Sequence, residues 1–485
     1  MPLPNANITW PPVEWANAYD QYYEHAAWYS GNPAQLSLYY QSRLERLFWA
    51  QEVVEQERKT MLHVPVAGDI SNVSANMLFS EHPEFRIPTE TNTVTADRLQ
   101  EMIEQGAVYN RLLEGAELCS ALGGIFLKVN WDRVLVPYPI LSVTDADNAI
   151  PEFRHGILVA ATFWKVVDRG IYNTNEQVRW LERHEPGVIY NALYKGNLTN
   201  IGNQMPMDSL ESTRGIPDVI PTQIPGLACR YIPNMMPNRY LRSDPQGQQL
   251  GRSDYAGCTG IFDSIDRVWS SLMRDIELGL GRIIAPADYF QKDTTTGKFR
   301  FDPLQESYLH VDAVGSSEMK DNITLSQFEI RTEQHLTALK DLYAQAYSSA
   351  GYSPQTFGLD IQGKAESGTA LRVREAKSFK TAAKKGEYWR SALADILEIM
   401  LMVDRLHLGN TKITPEKPQV ELQDGVQQDP NEVATSVEML NRAVAISTYQ
   451  KVSAIHPDWK ADTIQAEVDA ILKETGMSVP PPEMV

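Results

Sequence analysis

The stretch with the most chemical promise is Gly358-Leu359-Asp360-Ile361-Gln362-Gly363-Lys364. It matches G-x-x-x-x-G-K, in which backbone N–H groups cradle phosphates and the lysine reaches their outer oxygens. The next residue should carry a hydroxyl for Mg²⁺, but Ala365 stands there. Such a loop also has to leave a buried strand, and Tyr352-Ser353-Pro354-Gln355-Thr356-Phe357 makes a poor one. A glycine-rich loop before a helix is the preferred reading, and a P-loop-like NTPase using Gly358–Lys364 is the alternative. No H-E-x-x-H or G-x-S-x-G is present, and His184-Glu185-Pro186 reads as a turn. The nine histidines are scattered. Asp145-Ala146-Asp147 could join other oxygens around a divalent ion, but a solvated turn is favoured. No catalytic residue, metal site or cofactor is expected.

A second feature is electrostatic. Between Lys364 and Arg390 the chain carries eight bases (Lys364, Arg372, Arg374, Lys377, Lys380, Lys384, Lys385, Arg390) against Glu366, Glu375 and Glu387. Either this helix pairs with acidic surfaces of its own or a neighbouring subunit, or it meets phosphates. From Ile413 onward twelve acids face five bases. The whole chain has 44 Lys+Arg against 62 Asp+Glu, a net charge of −18. That excludes a generally basic nucleic-acid binder, while leaving room for DNA that must pass without being gripped.

The elements that position these residues span 485 residues, enough for roughly three units. Cys119, Cys229 and Cys258 are far apart and odd in number, against a disulfide scaffold or Cys-rich zinc site. The N-terminus lacks the pattern of a signal peptide. Apolar stretches such as Gly156 to Trp164 fall short of the ~18 residues of a membrane span. The first fifty residues are dense in aromatics, from Trp10 and Trp15 to Phe48 and Trp49, which predicts core packing or a subunit interface. Periodicity predicts helices over 36–59, 72–78 and 95–122, the last stopping at Gly123-Gly124. Strands follow over 125–131, 161–167, 177–183 and 187–194, then long connecting segments over 196–252. An amphipathic helix runs from about Gly260 to Leu278, with Ile261, Ile265, Trp269, Leu272 and Ile276 on one side and Asp263, Asp266 and Arg267 on others. Short strands over 282–285, 298–301 and 308–311 precede a helix over 325–349. Residues 351–368, rich in glycine, argue against any regular element. A long helix over 369–406 follows, with Gly386 as a candidate kink. After an extended connector over 413–428 comes an acidic helical cluster over 430–475, broken near His456-Pro457.

Several strings, in order along the chain, carry a resemblance. They include Ala75-Asn76-Met77-Leu78-Phe79-Ser80-Glu81-His82-Pro83 and Ala121-Leu122-Gly123-Gly124-Ile125-Phe126-Leu127-Lys128-Val129-Asn130-Trp131-Asp132. Ile265-Asp266-Arg267-Val268-Trp269-Ser270-Ser271-Leu272-Met273-Arg274-Asp275-Ile276 and Ala285-Pro286-Ala287-Asp288-Tyr289 come next. The strongest is Ser353-Pro354-Gln355-Thr356-Phe357-Gly358-Leu359 with Ser367-Gly368-Thr369-Ala370-Leu371-Arg372-Val373-Arg374-Glu375. In these the chain resembles the portal proteins of tailed bacteriophages, the head-to-tail connector family, and most of all the branch from siphophages of Gram-positive hosts.

The resemblance implies an α+β, mainly helical portal fold and a ring, usually of about twelve subunits, at one capsid vertex. It implies a wing (1–259), stem helix 1 (260–280), clip (281–324), stem helix 2 (325–350), tunnel loop (351–368), long wing helix (369–412), crown (413–476) and tail (477–485). The implied role is non-enzymatic: a channel for packaging and ejecting double-stranded DNA, sliding and without sequence preference. The implied partners are the terminase large subunit, head-completion or adaptor proteins, and major capsid and scaffolding proteins, with no membrane. The implied location is the virion, after assembly in the host cytoplasm. Arg331, Lys340, Gln362 and Lys364 are the candidate channel residues, Lys292, Lys298 and Arg300 the candidate clip contacts, and Arg372, Arg374, Lys377 and Lys380 the candidate subunit interface. A non-ring head–tail adaptor is the further alternative.

Overall fold

The computed structural model describes residues 3–41, 61–169, 175–278, 282–284, 291–292, 299–300, 324–326, 330–359, 368–422, 430–456, 459 and 461–475. The chain divides into two units, Met1–Gly363 with Arg374–Leu422, and Lys364–Val373 with Gln423–Val485.

In the first unit the opening aromatics feed α1 (Ala16–Tyr29) and α2 (Pro33–Gln41). Trp10, Trp15, Tyr19, Tyr22, Trp28 and Tyr40 are buried in one core, whereas Tyr23 is half exposed; Phe48 and Trp49 lie outside the described residues. Then come α3 (Val66–Phe79), β1 (Glu84–Arg86), α4 (Thr93–Gln105) and α5 (Val108–Leu122). The single helix expected over 95–122 is two helices, because Ala107 adopts a left-handed conformation (φ 48°) between them. The stop at Gly123 holds: its φ is +86°, and a Cβ there would meet the backbone of Gly251–Ser253 at 2.8 Å. Only glycine combines that dihedral with that approach.

Past Gly123, β2 (Gly124–Asn130) is the middle strand of an antiparallel sheet with β3 (Ile140–Asp145) and β10 (Cys229–Pro233). A second antiparallel sheet has the order β4 (Ala149–Arg154), β5 (Ile157–Arg169), β6 (Glu176–Glu185), β7 (Val188–Asn197) and β8 (Asn203–Met205), with β9 (Val219–Pro221) also on β7. His184 and Glu185 therefore end a strand, correcting the expected turn; the turn falls at Pro186-Gly187. The long connectors expected over 196–252 contain β8, β9, β10 and 3-10 turns, short pieces whose edge pairing leaves little periodicity.

The amphipathic helix α6 (Thr259–Leu278) is as expected. The next helix, α7 (Thr332–Ala350), starts later than expected, because Thr324–Ser326 is a strand (β14) paired with β11 (Arg282–Ile284). At 1.5 Å per residue α6 and α7 span about 30 and 28 Å. Between them, β12 (Gln291–Lys292) pairs with β13 (Phe299–Arg300); the strand expected over 308–311 lies outside the described residues. Among its described residues before α8, the glycine-rich break holds one regular piece, a 3-10 turn over Pro354–Phe357. Helix α8 (Gly368–His407) then runs unbroken through Gly386. Its later half buries Leu393, Ile396, Leu397, Met400 and Leu401 in a second core with α3, α4, α5 and β2. β15 (Gln419–Glu421) closes the unit by pairing with β1.

The second unit holds α9 (Pro430–Arg442), α10 (Thr448–Ile455) and α11 (Ala461–Glu474), around a small core of Val452, Ile464 and Val468.

Candidate functional site

The two helices expected to face the channel, α6 and α7, pack as a hairpin. Phe262, Ile265 and Leu272 turn into the core, each contributing about 1.5–3 kcal/mol by leaving water. Asp263 and Asp266, expected on solvent faces, are buried instead. Asp266 is held because it accepts the backbone N–H of Val64 (2.9 Å) and faces His63 Nδ1 (2.7 Å), while Ser270 Oγ accepts the Leu62 N–H (2.9 Å). A polar row on α6 thus fixes the extended segment 62–64 to the hairpin's base.

Across the hairpin, Trp269 Nε1 donates to Tyr343 OH (2.8 Å). Tyr343 stacks toward Tyr347 (6.1 Å), and Tyr347 lies face to face with Phe357 at 3.8 Å. This aromatic column runs down α7 to the turn at Pro354–Phe357. At the other end Asp275 takes the guanidinium of Arg331 (Nη2 to Oδ2 3.0 Å) and Nε2 of His335 (3.1 Å). Hydrogen bonds from His335 and Arg331 hold the Asp275 carboxyl below the usual carboxylate range.

The turn after α7 is fastened by a polar row on α8. Lys377 Nζ donates to Ser348 O (2.5 Å) and Oγ (2.9 Å), Thr381 Oγ1 to Gly351 O (2.6 Å), and Ser378 Oγ accepts the Ser353 N–H (2.8 Å). One turn further on, Lys385 and Asp254 form an ion pair in which each side chain is 1 % exposed. Around it Lys385 Nζ donates to Ser74 Oγ (2.6 Å) and Tyr352 OH (2.9 Å). Asp254 accepts from Tyr352 OH (2.9 Å), Ser120 Oγ (2.6 Å) and Asn234 Nδ2 (2.8 Å). Burial alone would raise the Asp254 carboxyl, but the Lys385 charge and these donors hold it below its ordinary value.

The expected site residues fare differently. Arg331, half exposed, is drawn into the Asp275 pair, so its charge is compensated. Lys340 is exposed and makes no ion pair among the described residues. Gln362, Lys364 and Lys298 lie outside the described residues. Lys292 and Arg300 sit on β12 and β13. Arg372 lies in the first turns of α8, Arg374 is half-buried, and Lys377 and Lys380 are exposed on the same helix. The basic island is not uniformly a surface: Lys385 is core. Sequence reasoning missed the Lys385–Asp254 cluster; its one available signal was Ser378, Thr381 and Lys385 recurring at i, i+3 and i+7 on a helix otherwise apolar on that side.

Other chemical readings can be placed. The residues leading into Gly358 form a 3-10 turn capped by Gly358 at φ +77°, not the strand a phosphate loop needs. Asp147 is half-buried rather than solvated, and burial together with Asp145 pushes its carboxyl up to about 6. Burial likewise pushes the thiols of Cys229 and Cys258 up, to about 12 and about 11, which leaves them poor nucleophiles. Among the described residues no group of three or more His, Cys, Asp or Glu is placed to hold a metal, and no helix is long and apolar enough to cross a membrane.

The family model "Phage portal protein, SPP1 Gp6-like" matches residues 15–480. No curated protein matches the chain. Among solved structures, a chain of the virion of a native gene transfer agent particle is 12% identical, with a TM-score of 0.41 over 87% of this chain and 98% of that one. A chain of the neck of the native particle, computed with C12 symmetry, is 12% identical with a TM-score of 0.41, over 86% and 92%. A chain of the neck of the empty particle, computed with C6 symmetry, is 12% identical with a TM-score of 0.43, over 85% and 96%.

Proposed function

The chain belongs to the SPP1 Gp6-like phage portal protein family, and from that premise we propose that its copies close into a ring at one capsid vertex and conduct double-stranded DNA through the central channel. Portal proteins of this family are structural rather than catalytic. The observation that carries the reading is the succession α6, small β module, α7, fastened turn and 40-residue α8, in a chain whose net charge is −18. α6 and α7 supply the stem, β11 to β14 the clip, residues 351–368 the tunnel loop, and α9 to α11 the crown.

The charge suits the task. Binding to DNA strengthens with each phosphate neutralised, so a lysine-lined wall would hold the duplex. A mostly acidic wall with isolated bases such as Lys340 positions DNA and lets it slide. Lys292, Lys298 and Arg300 on the clip face the packaging ATPase and, later, head-completion proteins. Arg372, Arg374, Lys377 and Lys380 on the start of α8 face a neighbouring copy. The assembled ring resides in the virion.

Negative-stain imaging of the purified chain tests the core of this reading. A ring with a central hole is expected; a monomer or an open chain of subunits would overturn it.

A further inference from the structure

We propose that the loop between β2 and β3 of one copy inserts Val134 and Leu135 into a pocket beside Trp10 and Trp15 of the next copy. The inference rests on the ring proposed above and names one of its contacts.

The loop is built as a rigid knob. Asp132 Oδ1 accepts the Val134 N–H (2.9 Å), and Asp132 O accepts those of Leu135 (3.2 Å) and Val136 (3.1 Å). Arg133 Nε donates to His407 O, Arg98 Nη2 to Pro137 O (2.7 Å) and Tyr138 OH to Gln105 O (3.0 Å). These bonds display two apolar side chains to solvent: Val134 is 92% exposed and Leu135 71%. A fixed loop that presents apolar groups has little conformational freedom left to lose on docking. Singly scattered exposed apolar residues are ordinary on a protein surface; here two stand side by side on a pinned loop.

A matching hole exists on the same chain. A cavity of about 330 Å³ is walled by Ile8, Trp10, Trp15, Ile150 and Pro151, at the small end of the range of binding pockets. Trp10 is 2% exposed, and its buried indole N–H meets no acceptor. Buried donors are normally paired, and Trp10 stands in the cavity wall. The carbonyls of Val134 and Leu135 accept no hydrogen bond among the described residues. The charges also fit: Glu14 is exposed at the pocket, and Arg133 is exposed on the knob.

The occupant has to come from another copy. Pinned at both ends and exposed, the knob does not fill its own chain's cavity. Its flanking Trp131 and Tyr138 pack on the core around α8, while Trp10, Trp15 and Ile150 belong to the other core. A knob and a hole at different places on one chain make a head-to-tail contact, the kind that closes rings.

The test is a cysteine pair in the full-length chain, Leu135→Cys with Gln246→Cys, since Gln246 lines the cavity at its exposed edge and the three native cysteines are buried. Oxidation should give a ladder of covalent multimers extending beyond the dimer, with neither single variant producing one. A second variant, Val134→Asp with Leu135→Asp, changes only exposed side chains and should cut ring assembly at least tenfold, read as mass by sedimentation. An unchanged ring without cross-links overturns the contact. So does a normal ring that only fails to bind a capsid protein, which would assign the knob to a different partner. An unmodified chain that never forms a ring overturns the functional reading itself, and the unmodified control separates that result from the others.

Discussion

Lys385 on α8 and Asp254, on the segment leading into α6, form an ion pair with both side chains 1 % exposed. Tyr352, which opens the glycine-rich turn, bonds to both partners. The pair therefore joins three stretches that the sequence keeps far apart: the entry to α6, the turn after α7, and α8. Removing one partner of a buried pair strands the other charge, at about 3–5 kcal/mol. Lys385→Met and Asp254→Asn should each lower the stability of the first unit by that order. The double variant should cost less than the sum by about 0.5–3 kcal/mol. Urea denaturation followed by tryptophan fluorescence measures both, and strict additivity would show that the two residues do not share the energy.

Two groups, the half-buried Asp147 and the buried His25, set opposing slopes in the dependence of stability on pH. Asp147 is raised to about 6 by burial, then by Asp145. Its folded form holds a proton that the unfolded chain has released, so stability falls as pH rises from about 4 to 6. His25 is lowered to about 4 by burial. Here the unfolded chain holds the extra proton, so stability rises with pH between about 4 and 6.5. Asp147→Asn should thus make the profile climb more steeply over this range and raise stability at pH 7 by about 1–3 kcal/mol. His25→Gln should make it descend. Thermal unfolding in a pH series reads the two slopes, and parallel profiles for both variants would contradict the assignment.

The parts that were legible in the sequence are those where local chemistry decides. Gly123 marks a helix end because its dihedral and its crowding both demand glycine, and α6 and α8 declare themselves by apolar spacing. The parts that were not legible depend on partners distant in the chain. Asp263 and Asp266 read as solvent-facing, but segment 62–64 covers Asp266 from about two hundred residues away. Leu325 fits a helical pattern, yet it pairs with Ile283 across the whole β module. Arg331 stands among the channel candidates in sequence, yet Asp275, 56 residues away, takes its guanidinium. Composition and periodicity locate elements; they do not reveal which side of an element another segment will cover.

The Arg331–Asp275 pairing distinguishes two of the bases expected to line the channel. Arg331 is bound to Asp275, whereas Lys340 has no carboxylate partner among the described residues. Lys340→Glu should therefore disturb DNA packaging or retention more than Arg331→Glu does. Breaking the exposed Arg331 pair should cost no more than about 1 kcal/mol of stability. Packaging assays on the two variants in parallel provide the comparison, and a stronger defect for Arg331→Glu would reverse the assignment of roles.

Lys377 and Lys380 lie three residues apart on α8 and were both expected at a subunit interface, but they have different tasks. The Lys377 ammonium satisfies the carbonyl of Ser348 at the C-terminal end of α7, where a cation also meets the negative end of the helix dipole. Lys377→Met should lower stability by about 1 kcal/mol and leave assembly insensitive to the change at any salt concentration. Lys380 is exposed and makes no such bond among the described residues, so its charge is available to an acidic neighbour. Lys380→Glu should leave the unfolding of the isolated chain within about 0.5 kcal/mol of the parent. It should weaken ring assembly at low ionic strength, with the difference shrinking as salt screens the contact over about 10 Å at 0.1 M. Sedimentation across a salt series, run beside thermal unfolding, separates the two outcomes. If Lys377→Met reduced assembly and Lys380→Glu did not, the interface would have to be placed on the face of α8 that meets α7.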